Sequence, residues 1–460
     1  MKQNLLILAL SAIIVLRASA QSPELDTWII NTTGITSSHY ESGNATAITD
    51  TASANVQHVY YSAQNVYLRC SGIPAYPTGP FEDGNPAHAT NRNYLFRIPR
   101  NPAVNEGTLT EVGLGQIGVW MNGVPVYNYA DAMSYNNQGI WNRNAVYFEN
   151  DGFDCAKGHP SPVFNGPPLP GSTPVGGSYH HHQNPCRYSL QAVPASDVCS
   201  SYPSEGLYEP IEGTHSPLLG YAFDGFPIYG AYAYANIDGT GGIVRMQSSY
   251  RTRDIQNRQT LADGTVLQPA QYGPEIATTP LGAYQEDFEF VDGLGHLDIH
   301  NGRFAVTPEY PDGIYAYYAT MDENGYSAFP YVLGQTYYGV VATDNFPTLG
   351  PGNTNPTSVT INESVEEFSP EPTGIHFIPS GVSLNIWPVP ADAEAQISIS
   401  KVLGNTCDFV ICDLNGRVVS EFSIVPGTLV SKIDLSLIPQ GIYVVRDASG
   451  SLFKRLIIAR

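Results

Sequence analysis

Short runs of alternating apolar and polar residues fill most of the chain, and Gly, Pro, Asn and Asp separate them. A period of two marks strands that show one face to a core, and no stretch upstream of residue 345 keeps a helical period beyond a few turns. Strands are predicted over "NVYLRC" (65–70), "QIGVWMNGVPVYN" (116–128), "YAFDGFPIYGAYAYA" (221–235), "GIYAYYAT" (313–320) and "TYYGVVAT" (336–343). Two of these runs contain a tight-turn pair, Asn122-Gly123 and Asp224-Gly225, which predicts a hairpin in each. The fold class that follows is all-β, with a large Tyr/Gly-rich sandwich-like domain over residues 21–345.

The alternation stops at Phe346. From there to residue 375 the chain is rich in Pro, Gly, Ser, Thr and Glu, has little to bury, and reads as a linker. It resumes in "VSLNIWPVPADAEAQISIS", "CDFVICDLNGRVVSEF", "SKIDLSLIPQGIYVVRDASG" and "SLFKRLIIAR", so residues 376–460 are expected to form a small immunoglobulin-like sandwich. At the other end Lys2, the apolar run Leu5 to Leu16 and Ala18-Ser19-Ala20 have the pattern of an export signal, with cleavage expected after Ala20. That run is too short to span a bilayer, and no later run is longer, so no transmembrane segment is expected in the mature chain.

Composition fits export. Charged residues are 14% of the chain, Tyr numbers 30, Gly 44 and Pro 36. The formal charge of −21 repels phosphate backbones and anionic lipid, which argues against nucleic acid and membrane surfaces as partners and favours cations. Six cysteines in an exported chain allow 15 pairings. Cys186 with Cys199 is the expected disulfide. Cys407 and Cys412, five apart, point to opposite faces of a strand and cannot pair with each other.

The chemistry concentrates in histidine. Seven of the eleven, His159, His180, His181, His182, His215, His296 and His300, lie between 159 and 300, roughly twice what even spreading gives. If "SYHHHQ" is extended, His180 and His182 share one face about 6–7 Å apart, and Tyr179 and His181 share the other. Two imidazoles on one face suit a metal ion that takes further ligands from elsewhere, and His159, Asp154 and Asp224 are the nearest candidates. The same residues also fit plainer roles: a polar loop for the histidines, and a turn for Asp224, because Asp-Gly is a default turn pair.

Two resemblances sharpen this reading. "WPVPA", "DLNGRVV" and "LIPQGIYVVR" resemble the C-terminal sorting domain of the type IX (Por) secretion system, with Pro388-Val389-Pro390 in place of the usual Pro-Asn-Pro. That resemblance implies the secretion machinery as a partner and delivery to the outer cell surface or beyond. Upstream, "GHPSP" (158–162), "GGSYHHHQNP" (176–185), "HSPLLGYAFDGFPIYG" (215–230), "HLDIHNGRFAVTPEYPDGIYAYY" (296–318) and "FPYVLG" (329–334) resemble the YHYH protein family. The third signature position, normally Tyr, is His181, and Leu297-Asp298-Ile299-His300 replaces the usual Leu-Asp-Glu.

The family brings no settled reaction. It implies His159, His180, His182 and Asp224 as metal residues, with Tyr179, His181, Tyr221, Asp154 and Asp298 beside the metal or a substrate. Imidazole with carboxylate suits zinc or copper better than calcium, and an open site would hold an activated water or a redox-active copper. The alternative is a non-catalytic adhesion or polysaccharide-binding module for glycan or matrix, with Trp120 and Trp141 as apolar platforms for sugar rings.

Overall fold

The computed structural model describes residues 22–84, 87–164, 171–186, 197–200, 207–346, 357–368, 384–399, 407–413, 417–424, 430–447 and 452–460. The expected export signal and most of the 346–375 stretch lie outside the described residues. The chain divides into two compact units, Met1–Phe368 and Ser369–Arg460.

In the first unit a single helical turn, α1 (Pro23–Asp26), precedes a hairpin of β1 (Thr36–His39) and β2 (Ile48–Ser53). An antiparallel meander follows: β3 (Val56–Tyr61), β4 (Asn65–Cys70) and β5 (Tyr94–Pro99). The chain then runs through β6 (Gln116–Trp120), β7 (Pro125–Tyr127), a ribbon of β8 (Ala130–Ser134) and β9 (Asn142–Asn144), and the short α2 (Ala145–Phe148). Next come β10 (Gly158–Val163), β11 (Gly176–His181), β12 (Leu218–Ala222) and β13 (Pro227–Tyr229). Two ribbons follow, β14 (Tyr232–Tyr234) with β15 (Ile243–Arg245) and β16 (Tyr250–Thr252) with β17 (Phe288–Phe290), before β18 (Gly302–Ala305) and β19 (Ile314–Tyr318). The principal sheet has eight strands in the order β10-β11-β7-β6-β12-β13-β19-β18.

Alternation along these strands builds the core. Val119, Tyr221, Tyr229 and Tyr318 pack with Val66, Leu68 and Phe96 of the meander, so one face of the large sheet closes a sandwich. Their neighbours Trp120, Ala222, Ile228 and Tyr317 pack on the other face with Phe329, Tyr331 and Tyr337. Each fully buried large apolar side chain contributes about 1.5–3 kcal/mol, and β6 and β12, buried on both faces, read as apolar but for Gln116 at the start of β6. Both predicted hairpins form: Gly123 closes the β6–β7 turn and Gly225 the β12–β13 turn, at φ of +80° and +88°.

Three expectations need correction. "TYYGVVAT" is not a strand of the sheet. Its backbone bonds are scattered among Thr110, Ala103 and the Asp224 carboxylate, with single bridges at Thr336 and Gly339. Within the stretch read as a linker, β20 (Glu366–Glu367) adds an edge to the meander beside β3. It has no apolar pattern because its anchors are polar: Glu363 accepts from Tyr67 and Asn65 (2.7 and 2.8 Å), and Glu366 from Tyr61 (2.7 Å). The disulfide joins Cys155 and Cys199, with Cα atoms 5.2 Å apart, whereas Cys186 is a buried free thiol in the core. Cys155 packs in one small cluster with Val198 and Cys199, while Cys186 lies in the main core.

The second unit is a sandwich of two antiparallel sheets. β21 (Leu384–Trp387), β22 (Glu394–Ile399), and later β25 (Val430–Asp434) form one. β23 (Cys407–Cys412) and β24 (Val418–Ile424), with β26 (Gly441–Asp447) and β27 (Phe453–Ile458), form the other, in the order β24-β23-β26-β27. Ile397, Phe409, Val445 and Leu456 fill the space between. Cys407 and Cys412 are both buried thiols.

Candidate metal centre

The site grows from the pairing of β10 and β11. His159 stands directly opposite His180, so the two side chains share a face, and His182 follows two residues along that face. The ring centroids of His159 and His180 are 4.6 Å apart, those of His180 and His182 4.9 Å, and all three residues are buried. One ring nitrogen from each lies within 4.8 Å of the others.

Backbone carbonyls fix two of the rings. His180 Nδ1 lies 2.9 Å from Ser178 O, and His182 Nδ1 is hydrogen-bonded to Asn128 O. A carbonyl only accepts, so each Nδ1 carries a proton and each Nε2 is the nitrogen left to take a metal or a further proton. Those two Nε2 atoms face each other at 3.1 Å. Burial pushes His180 well below its ordinary pKa, and the neighbouring His159 and His182 add to the effect, so its ring is neutral at pH 7. Two ring nitrogens at that distance share either a proton or a metal ion.

A carboxylate lies beside two of the three histidines. Oε2 of Glu149 lies 3.2 Å from His182 Nε2 and 3.3 Å from His159 Nε2. Oε2 and the His159 Nε2 are buried and, among the described residues, form no hydrogen bond of proper geometry. Donor atoms about 2.0–2.1 Å from one tetrahedral ion are about 3.3–3.4 Å apart, and the three spacings of 3.1 to 3.3 Å are those of adjacent ligands, with the three histidines forming the group that lies wholly within 4.8 Å. Burial raises the Glu149 carboxyl, but positive charge at the neighbouring His182 and His159 outweighs burial and holds it well below the usual carboxylate range.

Glu149 follows α2, whose start is capped by Asn144 accepting from Val146 N at 3.1 Å. Asn144 Nδ2 donates to Tyr331 Oη and Gly282 O. Gly282 N in turn donates to Asp287, which receives a buried bidentate pair from Arg258 at 2.7 and 2.8 Å. That chain of bonds holds the α2 turn against the sheet.

The remaining predicted residues take other places. Tyr179 and His181 point to the opposite face, as alternation requires. Tyr179 donates to Asp154 at 2.8 Å, and His181 Nε2 is 3.3 Å from Tyr76 Oη. Asp154 also accepts from the backbone of Gly79, Ala156 and Gly158, and so ties the turn before β10 to the loop at 79. Burial raises Asp154 to about 7 against the pull of these donors. Asp224 lies apart from the cluster in its hairpin turn, accepting from Tyr317 Oη at 2.5 Å, Gly339 N at 2.9 Å and Phe226 N at 3.2 Å. Asp298 accepts from Tyr315 and His300 N, and Tyr221 bonds Tyr310 Oη at 3.0 Å. Trp120 and Trp141 are each 1% exposed and cannot offer a face to a sugar ring.

Sequence reasoning missed Glu149 and Tyr127, whose ring stacks on His180 at 3.8 Å between centroids. Neither has a spacing relation to the histidines. The only signal near Glu149 is its place ten residues before His159.

No curated protein matches the chain. The sequence profile described as secretion system C-terminal sorting domain matches residues 385–459, the span of the second sandwich, and accounts for secretion by the type IX system to the cell surface or extracellular space. The profile described as YHYH protein matches residues 95–330, which hold the β10–β11 pair, its three converging histidines and Glu149. With the match covering half the chain and the signature strand at the centre of the site, the chain belongs to the YHYH protein family.

Proposed function

We propose that the first domain is an extracellular metal-binding domain in which His159, His180, His182 and Glu149 hold one zinc or copper ion. The observation that supports it is the meeting of imidazole nitrogens and a carboxylate oxygen 3.1 to 3.3 Å apart in a buried site. Three nitrogens with one oxygen suit zinc or copper, and a calcium site would need six to eight oxygens.

The chemistry the ion supplies is activation of water or, for copper, electron transfer. Glu149, at 27% side-chain exposure the most open of the four, decides whether that position is free. Bound, it closes a four-ligand site; displaced, it leaves three imidazoles and a carboxylate placed to accept a proton. A cavity of about 440 Å³ is lined by Asn128, whose carbonyl holds His182, and by Asp131, Met133, Asn142 and Gln285. We assign it as the approach for a small polar substrate.

Elemental analysis of the purified full chain tests the reading. About one tightly held zinc or copper per chain, surviving dialysis against a weak chelator, is expected, and His180→Ala with His182→Ala should abolish it while the circular dichroism spectrum is kept. Wild-type chain without such a metal, or a folded double variant that holds one as tightly, overturns the proposal.

A further inference from the structure

A second group of ligating side chains lies at the other end of the 79–90 segment. A ring nitrogen of His39, a ring nitrogen of His88 and a carboxylate oxygen of Glu41 all lie within 4.8 Å of one another. The rings of His39 and His88 meet at 4.7 Å between centroids, tilted by 41°. His39 is half-buried, and Glu41 and His88 are exposed. His39 is further constrained by Asp50, whose Oδ1 is 2.8 Å from its Nδ1. A carboxylate that holds one nitrogen of an imidazole sets the tautomer and leaves the other nitrogen's lone pair for a metal, an arrangement typical of ligating histidines.

The fold brings these residues together from three places. His39 ends β1, and β2 supplies Asp50 across the hairpin, where His39 pairs with Ile48. The chain at Thr78 runs beside β1, with Tyr40 N bonded to Thr78 O and Thr78 N to Ser38 O. Gly79 is bound by Asp154, and ten residues on, Ala89 and Thr90 pair with Gly177 of β11. A Cβ at Gly177 would lie 2.7 Å from His88 O, so that glycine is what lets the segment approach so closely. His88 is therefore fixed at both ends of its segment, although its side chain is open to water.

We infer that His39, Glu41 and His88 form a second, solvent-open divalent metal site that clips the β1–β2 hairpin to the segment bearing His88. Two imidazoles and one carboxylate suit zinc, copper or nickel, with water completing the shell. The net charge of −21 raises the local concentration of cations at such an exposed site. With three ligands, two of them exposed to water, it binds more weakly than the buried centre.

Zinc is the probe. The chelator-stripped full chain is titrated by calorimetry, and hydrogen exchange of residues 36–53 is followed with and without zinc. Two zinc ions per chain are expected, the weaker lost in His39→Ala and in His88→Ala, and kept in the His180→Ala, His182→Ala double variant. Zinc should slow exchange in the hairpin in wild type and in that double variant, but not in His88→Ala. If His39→Ala and His88→Ala take up zinc and protect the hairpin as wild type does, the site does not exist. A chain that binds a single His88-dependent zinc would overturn the buried centre and leave this site standing.

Discussion

A glutamine in place of Glu149 keeps the shape of the side chain and removes its charge. Because the carboxylate oxygen lies within 3.3 Å of two of the ligating nitrogens, Glu149→Gln should weaken metal affinity at least ~10-fold without abolishing binding, as read by competition with a chromogenic chelator. Unchanged affinity would remove Glu149 from the ligand set. His181 makes the opposite case. It faces away from the cluster, so His181→Gln should keep the metal. Burial pushes His181 down to about 3 from an unfolded value near 6.5, so the fold accepts only its neutral form. Its stability contribution is therefore complete above pH 6.5 and is lost as pH falls toward 3, on the order of 5 kcal/mol in full. The melting temperature of chelator-treated protein should drop between pH 7 and 5, and drop less in His181→Gln; parallel slopes would contradict the assignment. At this scale the sequence was informative about His180 and His182, whose shared face follows from strand alternation alone. It was silent on Glu149, which lies ten positions before His159 across a short helical turn and a loop with no period to follow. It pointed to Asp224 because a carboxylate in a signature block fits a ligand as well as it fits the turn that Asp-Gly makes.

The strand pair β10–β11 carries the site, and its tightest point is Gly158. A Cβ there would lie 2.3 Å from Tyr179 Oη and 2.9 Å from His181 Nε2, so Gly158→Ala must push the strands apart or break the Tyr179–Asp154 bond. A cost of about 1–3 kcal/mol is expected, with a lowered melting temperature and weaker metal binding together. A variant as stable as wild type would show that the pairing is looser than described. Strands with a period of two, such as "NVYLRC", match their predicted bounds, since every other residue is buried in the meander or against it. "TYYGVVAT" carries β-forming residues too, but its hydrogen bonds go to three separate segments, and only tertiary structure shows that.

The two units have separate cores, so heating the full chain should give two unfolding transitions in calorimetry. The first unit extends to Phe368, and β20 is bound to the meander by Glu363, Glu366 and Glu367, the last 2.7 Å from His58 Nδ1. A chain ending at 368 should therefore melt higher than one ending at 345 and show slower hydrogen exchange in β3. Equal melting and equal exchange would return residues 357–368 to the role of linker. Composition concealed this edge, because its anchors are carboxylates and tyrosine hydroxyls and it buries little.

The account rests on one ion at the meeting point of His159, His180, His182 and Glu149. X-ray absorption at the zinc and copper edges, on full chain purified without added metal, tests it most directly. The predicted spectrum shows one edge with a first shell of about four N/O donors near 2.0–2.1 Å and the outer-shell scattering of imidazole. A spectrum with no imidazole scattering, or no zinc or copper edge at all, would contradict it.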